Sequence, residues 1–211
     1  MATSLPRAAA LAVALLTFSL GAGCDNSVSP SKPAAQIVAF GDSLVVGFGT
    51  TSGNNFVSLL STRIGISIAN AGRLGDTTGS ALGRLQSDVL ARQPKIVIVL
   101  LGGNDLLQNV PLQQRVSNIT SIAQQIRSTG ATVILVGLGN DPIDPYGGAL
   151  PGVASQTGSA YVPGILEGIF GVPGLMFDSI HPNDAGHRIM ADRLEPALRA
   201  ALSQATAAAA Y

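Results

Sequence analysis

From residue 37 onward, short unbroken apolar runs alternate with stretches whose apolar residues recur at helical spacing. Ile37-Val38-Ala39-Phe40 predicts a buried strand, and residues 54–64, with Phe56, Leu59, Leu60 and Ile64 on one face, predict a helix. Residues 66–69 predict a second strand. Residues 80–92 predict a helix that turns Leu82, Leu85, Val89 and Leu90 inward until Pro94 stops it. Residues 96–101, Ile-Val-Ile-Val-Leu-Leu, show no polar alternation at all, which implies burial on both faces, as in a parallel sheet covered by helices. A helix over 112–129 ends at Gly130, and residues 132–136 repeat the buried-strand pattern.

Residues 139–164 break the rhythm. Their many Gly and Pro residues read as a long loop with room for one helical turn, and a long loop in a small domain is a candidate wall for a substrate pocket. A short helix over 165–170, a fifth strand at Leu175-Met176-Phe177 and a final helix capped by Asn183 or Asp184 complete the expectation. Five strands alternating with helices make an α/β protein, a doubly wound three-layer α/β/α sandwich.

Composition narrows the function. Twelve Lys and Arg balance twelve Asp and Glu, so no basic field exists to hold nucleic acid or an anionic membrane surface. The absence of Trp and the few other aromatics argue against an open sugar-stacking platform. The N-terminus reads as an export signal over residues 1–23: Arg7 supplies the positive region, and residues 8–20 are an apolar run of about 13 residues, short for a membrane span. Gly21, Ala22 and Gly23 precede Cys24, the single cysteine. This segment resembles a bacterial lipobox, although Gly21 stands where Leu is usual, so the expectation is a lipoprotein attached to a membrane through lipidated Cys24, with ordinary cleavage and secretion as the alternative. Residues 24–35, rich in Ser and Pro, would be a flexible tether, 36–203 the catalytic domain, and 204–211 an Ala-rich tail.

Chemistry gathers at the strand ends. Gly41-Asp42-Ser43-Leu44 follows the first strand, Asn70 through Thr77 the second, and Gly102-Gly103-Asn104-Asp105 the third; Asp178-Ser179-Ile180-His181-Pro182 precedes the last helix. In an open parallel sheet, ligands bind beyond the C-terminal ends of the strands. Ser43 at a strand-to-helix turn is a candidate nucleophile, with a helix N-terminus to favour developing negative charge. Position 45 is Val, so this is not the Gly-x-Ser-x-Gly elbow. Asp178 and His181, three apart in a loop, can act as orienting carboxylate and base, and Pro182 keeps His181 out of the helix. His187, the other histidine, falls inside the final helix as a surface or packing residue, and a metal site on Asp178, His181 and His187 lacks a ligand motif. Asn104 and a backbone amide from Gly75, or alternatively Gly72, are candidate oxyanion donors beside the Ser43 amide. Asp42, Asp76 and Asp105 are expected to brace loops. Leu106, Leu107 and Val110 could form an apolar pocket lip.

These blocks resemble the SGNH/GDSL hydrolase family, particularly its bacterial branch of acyl-thioesterases, lysophospholipases and arylesterases, over roughly residues 37–194. The resemblance implies Ser43 as nucleophile, His181 as base, Asp178 as its orienter, and an oxyanion hole from the Ser43 and Gly75 amides and the Asn104 side chain. It also implies a five-stranded parallel sheet, flavodoxin-like in order, and no metal or organic cofactor. The expected substrate is a small or lipid-like acyl ester. A carbohydrate O-deacetylase on the same fold and a non-catalytic envelope lipoprotein are the alternatives. Residues 139–174 carry no motif that reads a substrate.

Overall fold

The computed structural model describes residues 36–208, together with Met1 and Ala2. The rest of the leader, Cys24 and the tether lie outside the described residues, as does the end of the tail.

Strands β1 (Ile37–Gly41), β2 (Ile68–Gly72), β3 (Ile96–Leu100), β4 (Thr132–Val136) and β5 (Ala160–Val162) form one parallel sheet in the order β2-β1-β3-β4-β5. Alternate side chains of each strand face opposite ways, so each buried strand feeds two cores. Ile37, Ala39, Ile96, Ile98, Leu100 and Ile134 pack against helices α1 (Ser43–Val46), α2 (Phe56–Ile64) and α7 (Asp184–Ala208). Val38, Phe40, Val97, Val99, Val133 and Leu135 pack against α3 (Thr78–Asp88), α5 (Leu112–Ser128) and α6 (Leu150–Thr157). The unbroken apolar runs are the consequence: a strand covered on both faces has no position left for a polar side chain.

The helices form where their local signals say. In α2, Asn55 caps by accepting from the Ser58 amide at 2.9 Å. In α3, Thr77 and Ser80 exchange side-chain and backbone bonds in a capping box. In α5, Ile119, Ile122, Ala123 and Ile126 make one buried stripe at helical spacing.

Three expectations are corrected. The fifth strand is Ala160–Val162, not 175–177; it is three residues long with only Val162 buried, too little pattern to detect. Leu175 instead closes a 3-10 turn (Pro173–Leu175), Met176 makes an isolated bridge to Pro182, and Phe177 faces solvent. Residues 165–170 are turns, because Gly164 and Gly168 take left-handed φ values of 56° and 64° that interrupt a helix. The boundary expected after residue 203 lies inside α7, which continues through Ala205, Ala207 and Ala208, consistent with alanine's high helix propensity.

The order places the topological switch at β1, whose neighbours β2 and β3 are reached by crossovers on opposite sides. The loops after β1, β2 and β3 therefore open on one crevice.

Candidate active site

Ser43 is the first residue of α1, one turn past the end of β1. Gly41 makes that turn possible by close approach: a Cβ there would lie 2.1 Å from the Leu100 carbonyl oxygen and 2.5 Å from Val45. Asp42 caps the helix by accepting from the Leu44 amide at 3.0 Å. The Ser43 hydroxyl then meets His181 Nε2 at 3.0 Å, across 138 residues of sequence.

His181 is held from its other side. Its Nδ1 lies 2.8 Å from Asp178 Oδ2 and 3.0 Å from Oδ1. Asp178 Oδ1 also accepts from the backbone amides of Ile180 and His181, at 2.8 and 2.7 Å, so one carboxylate shapes the loop and orients the ring. Partial desolvation pushes the Asp178 carboxyl up, but the His181 hydrogen bond and the two amides outweigh it and hold it below the usual carboxylate range.

Asn104 sits in the short helix α4 (Gly103–Leu107) after β3. Its Nδ2 donates to the Asp76 carbonyl oxygen at 2.9 Å and lies 3.4 Å from Asp42 Oδ2. Below it runs a buried network. Asp105, fully buried, accepts from the Thr78 amide and hydroxyl and ties the β3 loop to α3. Asp76 pairs with Arg84, which also donates to the Gly41 and Ala71 carbonyls at 2.9 Å each and to Asp88, and stacks over Phe40 at 4.5 Å. The single guanidinium thus fastens the ends of β1 and β2 to the loop that supports Asn104. The three aspartates brace loops, as expected. Arg84 was not anticipated, yet a signal existed: it lies three residues after Ala81 and one before Leu85, on the buried stripe of α3.

Burial drives Asp42 up. Desolvation, opposed by the Leu44 amide and reinforced by the charges of Asp76 and Asp105, raises its pKa to about 7.

Two glycine amides were left open by the sequence, and their surroundings differ. The Gly72 amide donates to Asn70 Oδ1 at 2.9 Å, and its Cα presses against α1. Gly75 is exposed, and no acceptor among the described residues meets its amide.

A cavity of about 240 Å³ opens beside Ser43 and His181. Leu106 and Leu107 line it, together with Leu138, Pro142, Ile143, Leu166, Phe170 and Ile180. Val110 does not: α4 has ended, and the chain folds back so that the Val110 amide bonds the Asp105 carbonyl. The loop after β4 supplies Pro142 and Ile143, a pocket wall as its length suggested. Of the two expectations for His187, packing holds and surface does not: it is fully buried, its ring stacks on Phe56 at 5.9 Å, and its Nδ1 accepts from the Phe56 amide.

Residues 39–189 match the GDSL-like lipase/acylhydrolase family. The chain is 32% identical to the esterase TesA of Pseudomonas aeruginosa over 191 residues, 84% of this chain and 95% of that protein. It is 28% identical to thioesterase 1/protease 1/lysophospholipase L1 of Escherichia coli K12 over 168 residues, 75% of this chain and 81% of that protein. The crystal structure of TesA superposes with a TM-score of 0.73 at 32% identity, covering 78% of this chain and 98% of that one. The sheet order, the strand-end blocks and these likenesses agree: the chain belongs to the GDSL-like lipase/acylhydrolase family, the SGNH/GDSL ester hydrolases.

Proposed function

We propose that this protein hydrolyses small or lipid-like acyl esters, thioesters among them, through an acyl-enzyme on Ser43. One observation carries the reading: the Ser43 hydroxyl lies 3.0 Å from His181 Nε2, with Asp178 on Nδ1, at the mouth of an apolar cavity. In acylation, Oγ of Ser43 attacks the carbonyl carbon while His181 Nε2 accepts its proton, and Asp178 favours the imidazolium that results. The carbonyl oxygen gains charge and takes hydrogen bonds from the Ser43 and Gly75 amides and Asn104 Nδ2. The leaving alcohol or thiol departs with the proton from His181, and a water activated by the same ring releases the acid. Asn104 lines the cavity with Ser43; its Nδ2 is held on the Asp76 carbonyl at 2.9 Å, and the longer 3.4 Å contact to Asp42 Oδ2 is the one it would exchange for the carbonyl oxygen. The 240 Å³ cavity, with its mostly apolar walls, suits an acyl chain more than a sugar.

Fluorophosphonate labelling and turnover of p-nitrophenyl acetate, longer acyl esters and acetylated xylan test the reading together. Label on Ser43 with turnover of simple esters is expected. A folded protein that takes no label favours a non-catalytic scaffold, and turnover of the xylan alone points to an O-deacetylase.

The reading includes export and attachment through Cys24, supported by Arg7, the apolar run that follows and the lone cysteine. Labelling of the wild type by palmitate, lost in Cys24→Ala, is the expected outcome; an unlabelled wild type means secretion without an anchor.

A further inference from the structure

Two exposed aromatic side chains stand beside the base without lining the cavity. Phe48, directly after α1, lies 4.7 Å from the His181 ring and meets Phe177 edge-on at 5.9 Å. They are 41% and 61% exposed, and the cavity wall contains neither. Exposing two Phe rings to water is unfavourable unless something covers them during function.

Their position is held. Asp184, at the start of α7, accepts from the Thr51 amide, the Thr51 hydroxyl and Asn54 Nδ2 at 2.7, 2.6 and 3.0 Å, which anchors the loop carrying Phe48. The same loop presses on the His181 segment at Gly49, where a Cβ would fall 2.8 Å from Phe177 Cβ and 2.9 Å from the Pro182 carbonyl oxygen. The pair is a preorganised surface, not a loose end.

We infer that Phe48 and Phe177 form the leaving-group subsite, an open shelf that receives aryl or arylalkyl alcohols and thiols, while the cavity receives the acyl chain. This rests on the hydrolytic reading above. In acylation the bond from Ser43 Oγ to the carbonyl carbon forms, the bond from that carbon to the leaving oxygen or sulfur breaks, and its electron pair stays on the leaving atom. That atom takes the proton His181 Nε2 received from Ser43, so whatever it carries must pass the ring on which Phe48 packs. Order of events separates the two regions further. The acyl group stays bonded to the enzyme through both steps, which suits the lined cavity. The leaving group must go before water attacks, which suits the open side. An aromatic leaving group gains stacking on the shelf that an alkyl one does not.

Butyrate esters of 2-phenylethanol and of ethanol test this, because their alcohols differ chiefly by the ring. Phe48→Ala and Phe177→Ala should each lower the kcat/KM ratio of the phenylethyl to the ethyl ester by about three- to tenfold, and Phe48→Tyr should restore it. The ratio of ethyl octanoate to ethyl butyrate should stay where it is. Phe177→Ala carries the test should Phe48→Ala fail to fold, since that side chain is mostly in solvent. An unchanged phenylethyl ratio in the folded variants, or a shift in the octanoate ratio instead, overturns the assignment. Ser43→Ala separates the two claims: turnover of these esters surviving that change would sink the hydrolytic reading itself.

Discussion

Ser43 and Asn104 stand on strand ends whose polar partners are buried, whereas Asp178 and His181 stand on a loop that solvent reaches. Beneath the first pair, Asp42, Asp76, Arg84 and Asp105 are all at most 6% exposed and bond one another, the strand ends or the first turns of α1 and α3. In the second pair the Asp178 side chain is 38% exposed and is fixed by its own turn's amides. In the proposed roles, Ser43 as nucleophile and Asn104 as charge-stabilising donor need fixed positions relative to one carbonyl, which rigid elements provide. His181 as the proposed base needs orientation and access to water, which a self-bracing loop provides. Substitutions in the two halves should therefore fail differently.

The largest expected effect is at the contact between the halves, where Ser43 meets His181. Ser43→Ala or His181→Ala should lower kcat by about 10⁴–10⁶, with the melting temperature nearly unchanged. Turnover and a thermal melt on the same sample check it, and a large fall in Tm for His181→Ala would deny that the loop is energetically separate.

In the buried half the order reverses. Arg84→Leu strands Asp76 without its cation and leaves the Gly41 and Ala71 carbonyls unpaired, so it should cost about 3–5 kcal/mol of stability, read by denaturant unfolding. A loss of activity with stability intact would mean that Arg84 braces nothing. Asn104→Ala sits between the two, with kcat down about 10²–10³ and little loss of stability. A rise in KM with kcat unchanged would argue against Asn104 as an oxyanion donor.

The smallest effect sharpens the comparison through pH. Asp42 has its pKa raised from 3.8 to about 7, so between those values the folded protein holds a proton that the unfolded chain has released. Its contribution to stability is present at low pH and lost as pH rises from about 4 to 7. His187, under α7, is lowered from 6.5 to about 4 by desolvation, and its contribution is lost in the opposite direction, as pH falls from 6.5 to 4. The two groups offset each other across that window. Asp42→Asn, which keeps a good helix cap, should raise Tm at pH 8 by a few degrees, on the order of 2–4 °C per kcal/mol, and should leave stability climbing with pH between 4 and 6.5. Equal gains at pH 4 and pH 8 would show that Asp42 is not held neutral by burial.

Unbroken apolar runs located β1, β3 and β4, because strands covered on both faces must be apolar throughout. β5 escaped because it is a short edge strand with one buried residue, and Phe177 misled because an exposed aromatic in a loop looks, in one dimension, like a core residue.

The amino-acid order determined which groups could do the chemistry, since glycine-flanked Ser43, Asn104 and the Asp178–His181 pair are local patterns set by strand ends and turns. Only the folded chain decided what surrounds them. The Gly72 amide is taken by the Asn70 side chain, whereas no acceptor among the described residues meets the Gly75 amide. Arg84 became a clasp because it reaches carbonyls 13 and 43 residues away. The cavity drew walls from Leu106 to Ile180, and Phe48 came to lie on His181. Local patterns fix dihedrals and faces, but hydrogen-bond competition, cavities and ring contacts arise between residues distant in sequence, and the three-dimensional packing of the chain creates them.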